Sequence, residues 1–558
     1  MNKISIFNKN NYISPSYSHY GGLAGFQDYG NNGIKLKTKL IECWRQWFTR
    51  EENIFEIEVP AIMPYNILKA SGHVDKFTDY VTCDRDGIEY RADHLVKNFY
   101  KDDASVNVDA MTQQELCNII NEKKLVNLEE GCTAIVTTKN LMFNMTDNTG
   151  NNQTFLRPEL AQGIIVNFNR YLINNNYSMP LGIASVGKSY RNEISCKHLT
   201  RLREFTQAEL EYFVDPENKS DPKILSSLNP DNIIPTSKGD ISVGDLSKQV
   251  ASYTMLSFIV KVYKFVISIG LKHENIRFRK HEENEMAHYA VECWDLECNV
   301  NDDWLEVIGI ADRGTWDTAV HSKGVGSVCP VVARRILAVP KITVNHAVEL
   351  NKKTIAKVYG KHMKLICDYV MNNNDNIINE VKINSTFTIK TDSDILKITE
   401  DMFKILSTNK VETFEEYYPN IIEPSFGIDR LIYSILMQNS WNREDTSKGI
   451  RTVLSLPIKL SPYQLAIFVL LDREDLYEML KDIKTKINNK YEIYYDYSTT
   501  KIGKKYVRAD EIGVPLVITI DVQSLTDQSV TIRDRDTMQQ VRVLINDLNT
   551  SLVNMIGY

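Results

Sequence analysis

The stretch that most constrains the fold is Val186–Val214, VGKSYRNEISCKHLTRLREFTQAELEYFV. It reads as two strands joined by a polar turn, and its second strand alternates cleanly. Ala208, Leu210, Tyr212 and Val214 face one way, and Phe205, Gln207, Glu209 and Glu211 face the other. The first face belongs to a core, while the second is equipped for binding. At a rise of roughly 3.3 Å per residue, Phe205 and Glu209 stand about 13 Å apart, close to the span from the base to the reacting end of a folded nucleotide. Arg191, Arg201 and Arg203 lie nearby in sequence, and guanidinium forks match phosphate oxygens. A lone charged hairpin would read as a solvated edge, but the R-N-E step followed by R-x-x-x-F argues against that here.

The 558 residues suffice for roughly two to four domains. With 43% hydrophobic and 25% charged residues the composition is that of a soluble globular protein. The net charge of -7 supplies no global attraction to nucleic acid, so any RNA contact requires local basic surface. Nine cysteines with no C-x-x-C, and with Cys293 and Cys298 the only close pair, point to reduced thiols in a cytosol-like compartment rather than to a disulfide frame or a zinc site. Apolar runs such as Leu465–Leu471 are too short to span a bilayer, and MNKISIFNKNN lacks a secretory apolar region. The expectation is a cytoplasmic protein without a membrane partner.

Along the chain, a glycine-rich turn from Tyr20 leads into a helix marked by Leu36, Leu40, Cys43, Trp44 and Trp47. The strand-like FEIEVPAIMP follows, interrupted by Pro60, which suits either a dimer seam or an ordinary edge. A polar helical insertion occupies about 96–150. In TFLRPELAQGIIVNF, Arg157 and Glu159 stand where a strand turns into the helix that begins near Ala161, either as binding groups or as an ion pair. Residues Pro216–Gly244 read as a surface excursion, and SKQVASYTMLSFIVKVYKFVISIGL as a core helix. His281–Glu285, HEENE, lacks the second histidine of a zinc-protease motif; Asn284 and Glu285 stand where it should fall. WLEVIGIADRG is a strand carrying Glu306, with Arg313 at its end. A second insertion, about 322–420, is expected to end in a hairpin and a charged helix. In IIEPSFGIDRLIYSILMQN a strand changes to a helix at Ser425. Ile428, Leu431, Ile432, Ile435 and Leu436 form its buried stripe, and Arg430 lies off that stripe in the first turn, a natural position for a phosphate ligand.

From about Leu454 the pattern becomes a compact α/β repeat. QLAIFVLL, YEIYYDY, PLVITIDV and SVTIRDR read as strands. Leu476, Met479, Leu480, Ile483 and Ile487 mark one helix, and Met538, Val541, Ile545, Leu548 and Leu552 a second. Lys501, Lys504, Lys505 and Arg508 recur at helical spacing and read either as a face that follows an RNA backbone or as a solvated face.

YGGLAGFQDYG, ASGHVDKFTD, RADHL, LRPELAQG, RNEIS, REFTQAELEYF, ENEMAHYA, IADR, EPSFGIDR, GKKYVRADEIG and TIRDRDTM occur together and in order. With these segments the chain resembles, over almost its whole length, class II glycyl-tRNA synthetases of the homodimeric eukaryote/archaea-like type. The resemblance implies an α+β fold: an antiparallel-sheet catalytic core with the two insertions over 1–453, and an anticodon-binding α/β domain over 454–558. It implies a glycine-tRNA ligase that uses ATP, Mg²⁺, glycine and tRNA(Gly) and works as a homodimer, with Pro60 in the dimer motif. Arg191 is then expected at the α-phosphate, with Asn192 and Glu193 lining the nucleotide site. Arg201 and Arg430 would hold the outer phosphates, Phe205 would stack on adenine beside Leu202, and Glu306 with Val307 would match the ATP site, Glu306 contacting magnesium. Arg191, Arg430 and Glu306 would carry the catalysis. Glu159, Glu209, Glu423, Pro424 and Ser425 match glycine-binding positions, with Arg313 the partner of the glycine carboxylate. Lys501, Lys504, Lys505, Arg508 and Arg533 are expected to bind tRNA.

The hairpin turn Ile194–Thr200 is about one residue shorter than the family's usual loop, which bears on acceptor-end contacts by Lys197 and His198. The competing reading is a non-catalytic synthetase-like accessory protein that binds nucleic acid. Loss of the phosphate-binding arginines would mark such a relic, and Arg191, Arg201 and Arg430 are all present. A synthetase for another amino acid is disfavoured by the crowding of Glu159, Glu209 and Glu423.

Overall fold

The computed structural model describes residues 3–556 apart from 102–105, 109–110, 130, 147–152, 284, 288, 325–326, 328, 392–393, 446–448 and 488. Asn284, which figures in the reading of HEENE, lies outside the described residues. The chain divides into two compact units, Met1–Val332 with Tyr418–Tyr558, and Ala333–Tyr417.

The first unit is built on helix α1 (Asn31–Phe48), whose Leu36, Leu40, Trp44 and Phe48 recur on one face and are fully buried. The chain then enters a nine-stranded sheet. Its strands are β1 (Ile54–Glu56), β2 (Leu181–Tyr190), β3 (Glu204–Val214), β4 (Ile233–Thr236), β5 (Gly239–Ser242), β6 (Ile276–Lys280), β7 (Glu292–Val300), β8 (Asp303–Gly314) and β9 (Asn420–Gly427). They lie in the order β5-β4-β6-β7-β8-β9-β3-β2-β1. Neighbours are antiparallel except β2 with β1 and β4 with β6. Helices α2 (Tyr253–Ser268), α3 (Trp316–Lys323) and α4 (Ile428–Gln438) pack against strands of this sheet. Pro60 stands between β1 and the short strand Ile62–Pro64, where a residue without an N–H costs no ladder bond.

Strand alternation decides where the core sits. Ala208 and Leu210 of β3 and Phe426 of β9 join the apolar cluster formed with α1, α2 and α4. Phe426 is ringed by Phe48 at 4.7 Å, Phe265 at 5.7 Å and Trp44 at 5.9 Å between centroids, so apolar burial on this face anchors the middle of the sheet. The intervening residues Glu209, Glu211 and Ser425 therefore point to the opposite face.

Residues expected as a surface excursion are partly sheet. β4 and β5 pair as a hairpin on the sheet edge, with Ile234 buried, because the two short runs satisfy each other's backbone groups. In the second unit, Phe403–Tyr417, expected to be a charged helix, is a strand paired along Ala333–Leu350. Cross-strand pairs Arg334–Glu416 and Arg335–Glu415, each at 3.1 Å, place its charges opposite partners, which favours the ribbon over a helix.

The C-terminal residues form their own five-stranded sheet from β10 (Leu465–Val469), β11 (Ile493–Tyr495), β12 (Leu516–Ile520), β13 (Ser529–Asp534) and β14 (Gln540–Leu544), in the order β11-β10-β12-β13-β14. Its helices are α5 (Glu474–Lys486), α6 (Ile502–Ile512) and α7 (Leu548–Ile556). The second helix expected from the sequence begins only at Leu548. Asp534 accepts bonds from the backbone N–H of Asp536 at 3.0 Å and of Thr537 at 2.7 Å, and the resulting turn folds Gln540–Leu544 back onto β13 as a strand.

Candidate active site

The equipped face of β3, continued across β9 to β8, floors a cavity of about 330 Å³. Register places Glu209 opposite Ser425, Ser425 opposite Gly309, and Glu423 opposite Ala311. Residues far apart in sequence thus stand side by side because side chains in register on adjacent strands share a face.

One end of the cavity is basic. Arg191, Arg201 and Arg430 line it together with Glu193 and Glu306. Arg430, in the first turn of α4, donates to the carbonyl of Thr200 at 2.8 Å and to that of Glu306 at 2.9 Å, and its guanidinium lies 3.3 Å from the Glu306 carboxylate. Enclosure in the cleft opposes charge on Glu306, but Arg430 and Arg191 outweigh it and hold its carboxyl below the usual carboxylate range. Arg201 carries a buried Nη1 without a hydrogen-bond partner. A guanidinium N–H in that state calls for an anionic acceptor. Arg191 donates to the carbonyl of Pro158 at 3.2 Å and lies 5.3 Å from the centre of the Phe205 ring. Phe205, Leu202 and Val307 supply apolar wall beside these cations. Asn192 is held by its backbone N–H, which donates to Leu141 O at 2.6 Å, and is not among the lining residues.

The other end is acidic, with Glu159, Glu209, Glu423 and Ser425. Glu209 accepts from the Leu160 N–H at 2.9 Å on one oxygen, and from Gln207 at 2.7 Å and Ser425 at 2.9 Å on the other. Burial, with Glu423 and Glu159 close by, pushes its carboxyl above the usual carboxylate range. Glu423 is also pushed up, by burial against the opposing pull of Arg313. Glu159 goes the other way. Burial opposes its charge, but His73 at 3.5 Å, Arg313 at 3.7 Å and a 2.8 Å bond from Gln162 hold it well below the usual range. These opposed shifts mark a site whose charge balance is unfinished.

Arg313 stands elsewhere than the resemblance implies. It is 1% exposed and does not line the cavity. Its guanidinium meets Asp317 at 2.7 Å and 3.2 Å and Glu423 at 2.7 Å, and lies over the Tyr289 ring at 3.9 Å. The fork is therefore taken up by carboxylates and organises them from behind. Pro424 likewise does not line the cavity; strand alternation turns it away while Glu423 and Ser425 face in. Arg157 does not pair with Glu159. It donates to backbone carbonyls of Lys188 at 2.7 Å and Val59 at 2.5 Å, and a Cβ at Gly187 would stand 2.3 Å from its Nη2, so glycine there makes the approach feasible.

Sequence reasoning gave no role to Asp317, Gln162 and His73, and placed Gln207 on the binding face without one. Asp317 lies four residues beyond Arg313 at a helix start, Gln162 three beyond Glu159 and Gln207 two before Glu209 on the same strand face, so each had a local signal; His73 acts through a tertiary contact.

The basic positions of the C-terminal part are less uniform than helical spacing suggested. Lys501 and Lys504 are exposed. Lys505 is 3% exposed and donates to the carbonyl of Asp496 at 3.1 Å, and Arg508 pairs with Asp496 at 2.8 Å. Arg533 is buried against Asp510 at 2.9 Å and 3.1 Å. Three of the five expected RNA-facing cations are thus engaged within the fold, Lys505 by the backbone carbonyl of Asp496, and Arg508 and Arg533 by the carboxylates of Asp496 and Asp510.

Residues 464–555 match the anticodon binding domain, and residues 143–228 match the tRNA synthetase class II core domain (G, H, P, S and T). In fold the chain is similar to a prolyl-tRNA synthetase from Cryptosporidium parvum, with a TM-score of 0.52 over 100% of this chain and 75% of that one at 10% identity. In sequence it is 36% identical to glycine–tRNA ligase 2 of Saccharomyces cerevisiae, over 98% of this chain and 94% of that protein. It is 35% identical to the glycine–tRNA ligase of Methanocaldococcus jannaschii, over 96% and 95%. It is also 34% identical to glycine–tRNA ligase 1, mitochondrial, of S. cerevisiae, over 95% and 87%. With near-complete coverage on both sides, a class II core, an anticodon domain and a cavity that joins arginines to carboxylates, the chain belongs to the glycine–tRNA ligase family.

Proposed function

We propose that this protein activates glycine with ATP to glycyl-adenylate and pyrophosphate, then transfers the glycyl group to the 3′ end of tRNA(Gly) with release of AMP. The observation that carries this reading is the polarity of one cavity: Arg191, Arg201 and Arg430 at one end, Glu159, Glu209 and Glu423 at the other. A triphosphate and a small ammonium compound fit such a site end to end.

In this reading Arg191 neutralises the α-phosphate and Arg201 and Arg430 hold the outer phosphates. Phe205, Leu202 and Val307 receive the adenine, with Asn192 and Glu193 framing the nucleotide. The glycine carboxylate needs no general base, because its pKa of about 3.5 leaves it ionised at neutral pH. Its oxygen attacks the α-phosphorus and pyrophosphate leaves, so catalysis is orientation and charge neutralisation. The carboxylate faces Arg191, while Arg313 acts one layer back by fixing Glu423 and Glu159. Glu159, Glu209 and Glu423 surround the ammonium, with Ser425 orienting Glu209 and Pro424 setting the strand. Alanine is refused because its methyl would press on this polar wall, a larger penalty than the roughly 1–3 kcal/mol at stake for one methylene in an apolar pocket. Glu306 is a carboxylate kept ionised and open to the cavity, the kind of oxygen donor Mg²⁺ takes alongside phosphates. Magnesium held there would offset phosphate charge.

For tRNA, the exposed Lys501 and Lys504 are the cations available to an RNA backbone. A homodimer seamed near Pro60 and a cytoplasmic setting complete the proposal; no helix among the described residues is long and apolar enough to cross a membrane. ATP–pyrophosphate exchange with each amino acid tests it. Exchange with glycine far above all others is expected. Exchange with none would favour a non-catalytic relic, and exchange led by a larger amino acid would overturn the glycine assignment.

A further inference from the structure

Glu211 follows Glu209 on the same face of β3 but has no place in the chemistry above. It is 0% exposed, and neither of its carboxylate oxygens has a hydrogen-bond partner. Oxygens of Glu209, Glu211 and Glu423 all lie within 4.8 Å of one another. The groups that face it are few. β3 itself contributes Glu209, β9 contributes Glu423, β8 contributes Arg313 and α3 contributes Asp317. Across β2 its register partner is the neutral Ile183. The helix Ala161–Ile165 offers Gln162, which bridges to Glu159, Asp317 and His321, and His73 stands against Glu159. Asp429 of α4 meets β3 from the core side, where it accepts the Thr206 N–H.

Arg313 is committed to Asp317 and Glu423. Glu209 accepts from neutral donors on both oxygens. Among the described residues, no cation is hydrogen-bonded to either Glu209 or Glu211. Two buried carboxylates so placed do not both ionise; one keeps a proton. Since Glu209 already uses both oxygens as acceptors, the proton belongs on Glu211.

We propose that Glu211 is a positioning residue that holds a proton beneath the empty glycine site and releases it when the glycine ammonium enters, so that binding exchanges one proton for one ammonium charge. The Glu211 O–H bond breaks, the proton passes to solvent, and the new carboxylate shares the incoming positive charge with Glu209 and Glu423. The buried charge is the same before and after, which removes the cost of bringing an ammonium ion into a closed site. Burial and the neighbouring carboxylates push the Glu211 carboxyl well above its ordinary range, as this exchange requires. The inference rests on the glycine-activation reading.

The test is the pH dependence of the glycine KM in ATP–pyrophosphate exchange. Coupling to one proton makes KM fall about tenfold per pH unit on the acid side before it levels off. Glu211→Gln, which mimics the neutral acid, should abolish that slope while keeping kcat within about tenfold, and Glu211→Asp should retain it. An unchanged slope in Glu211→Gln, or a flat profile in the unmodified protein, overturns the proposal. Should Glu211→Gln not fold, calorimetric titration of glycine into the unmodified protein in buffers of different ionisation enthalpy decides: about one proton released per site below neutral pH is expected, and none refutes it. Absence of any glycine-dependent exchange would instead defeat the functional reading itself.

Discussion

Replacing Arg313 with methionine would separate two roles for the same side chain. In the structure its guanidinium is buried between Asp317, at 2.7 Å and 3.2 Å, and Glu423, at 2.7 Å. Methionine has comparable length and no charge, so the variant leaves two buried carboxylates without their cation. Breaking a buried pair from one side costs about 3–5 kcal/mol. Part of this is recovered if Glu423 takes up a proton, and that protonation then weakens ammonium binding. The expected result is a lower urea midpoint of unfolding together with a glycine KM raised by about tenfold or more, since each 1.4 kcal/mol is a factor of ten. Adding Asp317→Leu removes one stranded carboxylate and should restore part of the stability, with a coupling energy of about 1–3 kcal/mol in the double-mutant cycle. An unmoved unfolding midpoint with only KM raised would mean that Arg313 meets the substrate directly, and the organising role would be wrong.

Three further outcomes are expected. Arg191→Ala should lower exchange by about a hundredfold or more, because it removes the cation at the reacting phosphate; near-normal turnover would refute that role. Lys504→Glu should weaken tRNA charging while sparing exchange, whereas Arg533→Ala should destabilise the C-terminal sheet by removing the two-bond partner of buried Asp510 and leaving that carboxylate to Arg443 at 3.2 Å, a difference read by comparing charging with thermal unfolding. Phe426→Ala should cost about 3–5 kcal/mol of stability through the cavity left among Trp44, Phe48 and Phe265, measured by denaturant unfolding.

Several features were legible in the residues alone. The two-residue period of Phe205–Val214 separated core from binding face, and the helical stripe from Ile428 to Leu436 placed Arg430 in a first turn; both follow from local geometry, which sequence carries directly. Local patterns misled where a tertiary partner changed the outcome. Phe403–Tyr417 has enough charge for a surface helix, yet Ala333–Leu350 offers it a matching ladder. Lys505 and Arg508 recur like a basic stripe, yet Asp496, on a different segment, takes up both.

What the sequence by itself determined is the inventory: an alternating strand, arginines at its base, carboxylates dispersed from Glu159 to Glu423, and a segment order that fixes the family. What only the tertiary structure decided is which of those charges face each other. Sheet register sets Glu209 beside Ser425 and brings Glu423 against Arg313, and burial then makes each charge depend on its neighbours. A carboxylate in water is nearly the same wherever it stands, but in a closed site its protonation is set by groups a few ångströms away, and those distances are a property of the fold.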